Sequence, residues 1–431
     1  MIRTRLLITF SLCLLPILTA SAQTTDIVVS GATQLIPISS PTLCNEGGVL
    51  SADKEIPKAL LRDLDLSGYF KTLSPESYIE SPGKCGGASN VAFSDWTAIG
   101  SDFVIRGSAF QTGSTLRVQL YLIDAFKQAS VLAKEYNGNT SDAVMMGHKF
   151  ANEILKFFTG ELGPFGSQIA YSVKNGRFKE LAIMDMDGSN VRQLTSNKGL
   201  AKNASFSPSG RELAFTDYKN RVPDLFTINI GSRAQSRITN DMEMQIGPHF
   251  LNESEIVASR SEGSGSSLVV YDRSGRMTRK LITGGGTINV SPSFSPDKSQ
   301  MVFCSDRGGS PQVYKANADG SGATRVSFVA SGYCSSPVWS PKGDKIAFIC
   351  RADGGFNLFT ANPDGSAPLQ LTSYGSNEDA DWSPDGRYLV FSSTARTGVT
   401  SLAMIRSDGA NMRQLTNSKT PESEPSWGPR P

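Results

Sequence analysis

A short motif, an aromatic residue followed by Ser-Pro or a relative and then by an apolar strand, recurs at a nearly fixed interval and limits what this chain can become. In its fullest form it reads Asp381-Trp382-Ser383-Pro384-Asp385-Gly386 before Tyr388-Leu389-Val390-Phe391. Phe206, Phe294 and Trp339 lead close copies, Phe250-Leu251-Asn252 is a worn one, and Trp427-Gly428-Pro429 closes the chain. The lead aromatics are spaced by 44, 44, 45, 43 and 45 residues. Two further markers keep the same phase. Glycines end an apolar strand at Gly188, Gly231, Gly275, Gly320, Gly365 and Gly409, and each is followed by a pair such as Leu194-Thr195, Val326-Ser327 or Leu371-Thr372. A period of roughly 40–45 residues holding about four short strands is the pattern of β-propeller blades. The Asp-Gly pairs suit hairpin turns that need positive φ, and Pro at a turn entry fixes φ without removing a ladder bond.

The phase also predicts how the ring closes. Its first copy opens at Ile169-Ala170-Tyr171 with no aromatic-Ser-Pro strand before it, and its last, Pro425-Ser426-Trp427-Gly428-Pro429, is an inner strand with nothing after it. The two ends would complete one blade between them and leave no unpaired sheet edge. The expectation is a six-bladed all-β propeller over residues 163–431, closed by mixed N- and C-terminal strands.

Residues 1–22 carry Arg3 and Arg5, an apolar run from Leu6 to Leu18, and Ala20-Ser21-Ala22. This reads as a cleavable signal peptide, cut after Ala22, with an apolar run too short to span a bilayer. Cys13 lies inside that run, which argues against a lipoprotein signal. The chain has 42 basic and 40 acidic residues, and the leader holds two of the basic ones, so the mature chain is formally neutral. Without a basic face it is not expected to bind nucleic acid or an anionic membrane non-specifically, and no later apolar run suits direct membrane insertion.

Residues 23–162 have another texture. Asp26–Val29, Leu35–Ile38 and Ser130–Tyr136 read as strands, and Phe103–Gly107 with Leu116–Ile123 reads as a hairpin. Lys54–Leu66 and Ser141–Phe158 have helical apolar periodicity, with a short helix near Trp96. Together they predict a small N-terminal α/β domain, joined to the propeller through a Gly160–Gly166 stretch containing Pro164. Five cysteines remain after cleavage, in a compartment that permits disulfides. Cys44 and Cys85 are the pair preceding the propeller. Cys334 and Cys350 flank the turn Pro341-Lys342-Gly343-Asp344 and fall opposite each other or one residue off, a slip that would send them to opposite faces. Cys304 is left over. No Cys/His spacing supports a metal site, and no cofactor is implied.

Catalytic constellations are scarce. The histidines are His148, on the apolar side of a helix, and His249, in an inner strand where it either borders the channel or sits at a solvated rim. There is no GxSxG elbow and no domain after the ring. Asp185-Met186-Asp187-Gly188 lacks the downstream glutamate of a calcium loop and has sister turns in the other copies. The blade-periodic phase of Trp339, Trp382 and Trp427 marks them as packing residues. What remains is a binding surface. Residues just before each lead aromatic should lie near one channel mouth, and they are polar: Asn203, Gln245, Asn289, Ser336, Glu378, Asp379 and Glu424 among them. Glu378, Asp379, Glu422 and Glu424 form an acidic group that could take a basic partner or be simple solvation of strand ends. A sugar-binding propeller would need exposed mouth aromatics, for which Tyr333 and Tyr374 are the candidates; an enzyme would have to use the carboxylates without an evident base or nucleophile.

The combination of leader, small α/β domain and six blades resembles the TolB family, periplasmic propeller components of the Tol-Pal system. The repeats SFSPDKSQMVFCSDRGGSPQVYKANADGSGATRVSF and VWSPKGDKIAFICRADGGFNLFTANPDGSAPLQLT carry it, as do GSAFQTGSTLRVQLYLID and FANEILKFFTGELGPFGSQIAYS from the first domain and its junction. The resemblance implies a non-enzymatic adaptor supporting outer-membrane integrity and constriction during division. It would bind a Pal-like peptidoglycan-associated lipoprotein at the channel mouth. A TolA-like inner-membrane protein would be engaged through the mature N-terminal segment Gln23, Thr24, Thr25, Asp26, Ile27, Val28 and Val29, whose β-forming residues could add a strand to a partner sheet. Two departures adjoin the docking face: the worn copy at Phe250, and Lys298 where its neighbours' turns carry glycine.

Overall fold

A computed structural model of the chain describes residues 34–48, 51–81, 83–85, 90–220, 222–396 and 398–431. The leader and the segment Gln23–Val29 lie outside the described residues.

The first part is a mixed sheet covered on one face by helices. In chain order it comprises β1 (Ile36–Ser39), β2 (Cys44–Gly47), α1 (Ala52–Ser67), β3 (Phe70–Thr72), α2 (Phe93–Ala98), β4 (Phe103–Thr112), β5 (Thr115–Asp124), β6 (Ala129–Asn139) and α3 (Ala143–Thr159). The sheet order is β3-β1-β4-β5-β6, with β2 alongside β4. β1 pairs in parallel with β3 and β4, whereas β4, β5 and β6 form an antiparallel meander. α1 and α3 present Ile56, Leu60, Leu64, Phe150, Ala151 and Ile154 to one apolar core. The helices approach closely at Gly147, where an added Cβ would stand 3.2 Å from the Ile56 carbonyl oxygen. Pro57 lies inside α1 and cannot donate to the carbonyl four residues back. The Leu43 N–H takes that Asp53 oxygen instead, at 2.9 Å, and so pins the β1–β2 loop to the helix.

Six four-stranded antiparallel sheets follow, with innermost strands at Lys202–Phe206, Gln245–Phe250, Asn289–Phe294, Cys334–Trp339, Asn377–Trp382 and Glu422–Trp427. The last innermost strand pairs with Gln168–Asn175, so one blade is built from both ends of the ring. The fourth strands are only two or three residues long in five blades. The recurrent Thr or Ser after them extends the ladder: the hydroxyls of Thr195, Thr239, Ser327, Thr372 and Thr416 each accept a third-strand N–H, from Leu181, Leu225, Val313, Leu358 and Leu402. Lys298 occupies the turn position held by Gly210, Gly343 and Gly386 in sister blades and adopts the same left-handed conformation, φ 60° against 69°, 78° and 67°. A side chain there costs up to about 1–2 kcal/mol relative to glycine.

The two parts share one core. Tyr388, Val390, Met404, Trp427 and Ile169 of the ring pack in the same cluster as the α1 and α3 side chains. The last carbonyls of α1, orphaned by the end of the helix, are satisfied by the ring: the Tyr388 hydroxyl donates to Ser67 O at 2.9 Å and Asn411 Nδ2 to Leu66 O at 3.3 Å. Arg387 ties the ring to the end of α3 and the segment after it, donating to Thr159 Oγ1 at 2.7 Å and to Glu161 O at 3.3 Å. The Gly160–Gly166 stretch is thus held against the ring by Arg387, and Lys342 adds an ion pair to Glu161. His148 is a buried structural histidine, its Nδ1 2.6 Å from Asp63 Oδ2 between α3 and α1. Cys44 joins Cys85, with Cα atoms 4.9 Å apart, and Cys334 joins Cys350 at 4.1 Å, the latter two directly opposite in register. Cys304 is a buried free thiol, and burial pushes its pKa up to about 12.

Candidate functional site

The site is the bore of the ring, a cavity of about 390 Å³. Its wall is made by a device repeated in every blade. Each innermost strand carries a bulge, where its register to the second strand shifts by one residue, as between Lys202 and Ser205 or between Glu378 and Asp381. The residue three before the lead aromatic sits in that bulge with a left-handed backbone: Asn203 at φ 53°, Gly247 at 62°, Ser291 at 55°, Ser336 at 49°, Asp379 at 53° and Glu424 at 56°. All six line the bore. The next residue is Pro248, Pro292, Pro337 or Pro425 in four blades and alanine in the other two. A bulge leaves a strand N–H without its ladder partner, and proline removes that donor. Strained, non-glycine backbone repeated around a cavity is a marker of function.

The chemistry of the wall is uneven. Ser291 and Ser336 give a neutral side. Opposite charge gathers at the closing blade, where Glu424 Oε1 lies 3.2 Å from Lys179 Nζ and 3.1 Å from Lys202 Nζ, and Glu424 Oε2 accepts from the Ser172 hydroxyl at 2.8 Å. Burial opposes the Lys202 charge, yet Glu424 beside it outweighs that and raises its pKa. Asp379 stands next to this cluster. Burial first, then the charges of Glu424 and Glu378, push its pKa up to about 7. Asp381, pushed up to about 6 by burial, joins two blades by accepting the backbone N–H of Trp382 at 2.9 Å and of Trp427 at 2.8 Å. Across the bore, His249 lies along the Phe294 ring, with centroids 6.2 Å apart. Burial, then the charge of Lys298, press its pKa down to about 3, so it is a neutral imidazole at any physiological pH. Among the described residues no group of three His, Cys, Asp or Glu side chains is arranged to hold a metal ion.

Asn203, His249, Ser336, Asp379 and Glu424 therefore line the bore. Glu378 is exposed in an adjoining cleft with Ser423 and accepts from Ser376 at 2.8 Å. Gln245 and Asn289 are corrections to the sequence expectation. Both are fully buried, and Asn289 is spent at the joint between two blades, donating to Ser266 O of the preceding blade at 2.8 Å and accepting from Ser305 at 2.8 Å and Arg307 at 2.9 Å in its own. Glu422 is likewise buried, so the acidic mouth of the sequence reading shrinks to Glu378, Asp379 and a Glu424 already matched by two lysines. Lys179 and Asp381 are wall or joint residues that the sequence reading missed. Asp381 lies one residue before Trp382, where its sister position holds Ser293, whose hydroxyl accepts the N–H of Trp339 at 3.0 Å.

The raised Asp379 and Asp381 make a prediction about acid. Between their ordinary value near 3.8 and their folded values the native chain keeps protons that the unfolded chain has lost, so stability falls as pH rises through about 4 to 7. Replacing Asp379 by Asn is expected to stabilise the protein at pH 7.5 by roughly 1–2 kcal/mol, less than the full shift because part of the side chain faces the open bore. The gain should vanish at pH 4. Urea unfolding of both proteins at the two pH values measures it, and an equal or lower stability at pH 7.5 would contradict the assignment.

Residues 155–431 match the family description of a TolB beta propeller domain, and residues 26–131 that of a TolB amino-terminal domain. A "Protein TolB homolog" of Chlorobium luteolum is 31% identical over 281 residues, covering 65% of this chain and 64% of that protein. A "Tol-Pal system protein TolB" of Anaeromyxobacter dehalogenans is 32% identical over 285 residues, covering 66% of this chain and 65% of that protein. The aligned regions thus span just under two thirds of these curated relatives. The crystal structure of TolB from Acinetobacter baumannii superposes with a TM-score of 0.79 at 23% identity, over 92% of this chain and 97% of that one, a likeness of fold.

Proposed function

Since this chain belongs to the TolB family, we propose that it is a non-catalytic periplasmic component of a Tol-Pal system. It binds a Pal-like peptidoglycan-associated lipoprotein through the bore and its mouth, and a TolA-like inner-membrane protein through residues 23–29. By joining these partners it supports outer-membrane integrity and constriction during division. The observation that carries this is the ring of left-handed, mostly short polar residues turned into one cavity: a rigid scaffold holds variable side chains for recognition. Its titratable members are a matched ion cluster, a carboxyl whose pKa burial raises to about 7 and a histidine whose pKa burial lowers to about 3, and among the described residues neither histidine is hydrogen-bonded to a serine or cysteine. Among those residues no helix is long and apolar enough to cross a membrane.

The test is a pull-down from solubilised envelope extract with the mature protein, beside a variant carrying Asn203→Arg and Ser336→Arg. These changes crowd the bore without touching the Glu424 cluster. Recovery of a peptidoglycan-binding lipoprotein by the first and not by the second is the expected result. Recovery by both removes the bore as the site, and capture of a glycan with no lipoprotein removes the adaptor function. Deleting residues 23–29 should abolish capture of the TolA-like protein and leave the lipoprotein bound, and equal loss of both would refute the division of labour.

A further inference from the structure

A second cavity lies in the first domain, far in sequence from the bore, between α1 and the segment Pro75–Glu80. Its volume is about 330 Å³. The floor is apolar, built by Pro41, Pro57, Leu61 and Pro75. One wall is the β1–β2 loop, fixed by the Leu43 N–H on the carbonyl that Pro57 leaves free. In that wall Ser40 is 2% exposed, and its hydroxyl has no hydrogen-bond partner among the described residues. That oxygen is shielded from the pocket, so it is a cost of about 1–3 kcal/mol carried inside the wall and not a contact for a ligand. The Tyr78 hydroxyl does not supply a partner, because it accepts the Ser40 backbone N–H at 3.1 Å and donates to Leu73 O at 3.1 Å.

The charge at the rim is one-sided. Lys54 and Lys58 stand one turn apart on α1, both exposed, and neither has an ion-pair partner among the described residues. The acid in the wall, Glu80, is already matched: its Oε1 lies 2.6 Å from Arg106 Nη1 and its Oε2 accepts the Trp96 indole N–H at 2.9 Å. The cavity therefore offers an apolar socket and two free ammonium groups.

We propose that this pocket docks an acidic peptide segment of a partner protein. An aliphatic or prolyl side chain of the segment fills the socket, and a carboxylate reaches Lys54 and Lys58. This is a docking site separate from the bore.

Panning a displayed library of random seven-residue peptides against the mature protein tests it, followed by fluorescence anisotropy of selected peptides with the wild type and with a Lys54→Gln, Lys58→Gln variant. Both lysines are exposed, so the variant is expected to fold; a matching thermal unfolding curve checks this. The expected result is a consensus of Asp or Glu beside Leu, Ile, Val or Pro, with affinity falling at least about fivefold in the variant and weakening with salt. A second variant, Leu61→Gln, should lower affinity through the socket alone. Selection of no acidic-aliphatic consensus, or equal binding of such peptides to wild type and lysine variant, overturns the proposal.

Discussion

Deleting residues 422–431 is expected to abolish the native fold rather than trim it. These residues include the whole innermost strand of the closing blade, and Gln168–Asn175 would lose its pairing partner. An apolar strand, with Ile169 and Tyr171 buried in the native state, would become an unpaired edge. Trp427 would go too. Its indole donates to Ser167 Oγ at 2.8 Å, at the junction with the first domain, while its backbone N–H is held by Asp381 of the neighbouring blade. The truncated protein should elute as aggregate or mixed oligomer and show no cooperative thermal transition. Trp427→Ala, keeping the strand and removing the anchor, should cost about 3–5 kcal/mol in urea unfolding. A truncated monomer melting within a few degrees of wild type would mean that the ring does not depend on closure.

The second large effect is expected at Glu424. Replacing it by Ala leaves the ammonium groups of Lys179 and Lys202, both partly buried, facing each other across the space it filled. Removing one partner of a buried ion group is more damaging than never having had it. Part of the cost is screened by the open bore, so a loss of roughly 2–3 kcal/mol is expected. Adding Lys202→Ala should recover about 1 kcal/mol, and the non-additivity is the direct measure of the coupling. Asp379 supplies an independent readout. Glu424 is the second cause of its raised pKa, after burial, so Glu424→Gln should move its titration below about 7. Additive losses for Glu424 and Lys202, with an unmoved Asp379, would show the cluster to be electrostatically idle.

The architecture was legible because periodic side chains report periodic packing. Lead aromatics every 43–45 residues, Asp-Gly turns and Leu-Thr pairs each answer to a contact that every blade must make. The wall of the bore was only half legible, and the reason is local. In a regular strand, residues five and three before the aromatic share a face. The bulge breaks that alternation, so Ala201, Gln245, Asn289, Cys334, Asn377 and Glu422 turn into the blades while Asn203, Gly247, Ser291, Ser336, Asp379 and Glu424 line the bore. Polarity alone could not separate the sets, since Asn289 and Asn203 look alike as letters. A register of three before the aromatic, applied to every copy, would have separated them. The ties between the domains were hidden for another reason: Tyr388 with Ser67 and Arg413 with Asp65 are distant in sequence and belong to no repeat.

The same bulge restricts what this channel can be made of over generations of substitution. A left-handed backbone admits glycine freely, asparagine, aspartate and serine at modest cost, and β-branched residues hardly at all. The six inward positions therefore draw on a short alphabet, and the one found here is Asn, Gly, Ser, Ser, Asp and Glu. Val, Ile and Thr, the residues that fill the surrounding strands, are shut out of these places by sterics rather than by any partner's preference. Drift at the bore can retune charge and hydrogen bonding freely, but it cannot turn the wall into a lining of branched aliphatic side chains without first flattening the strands that build the ring.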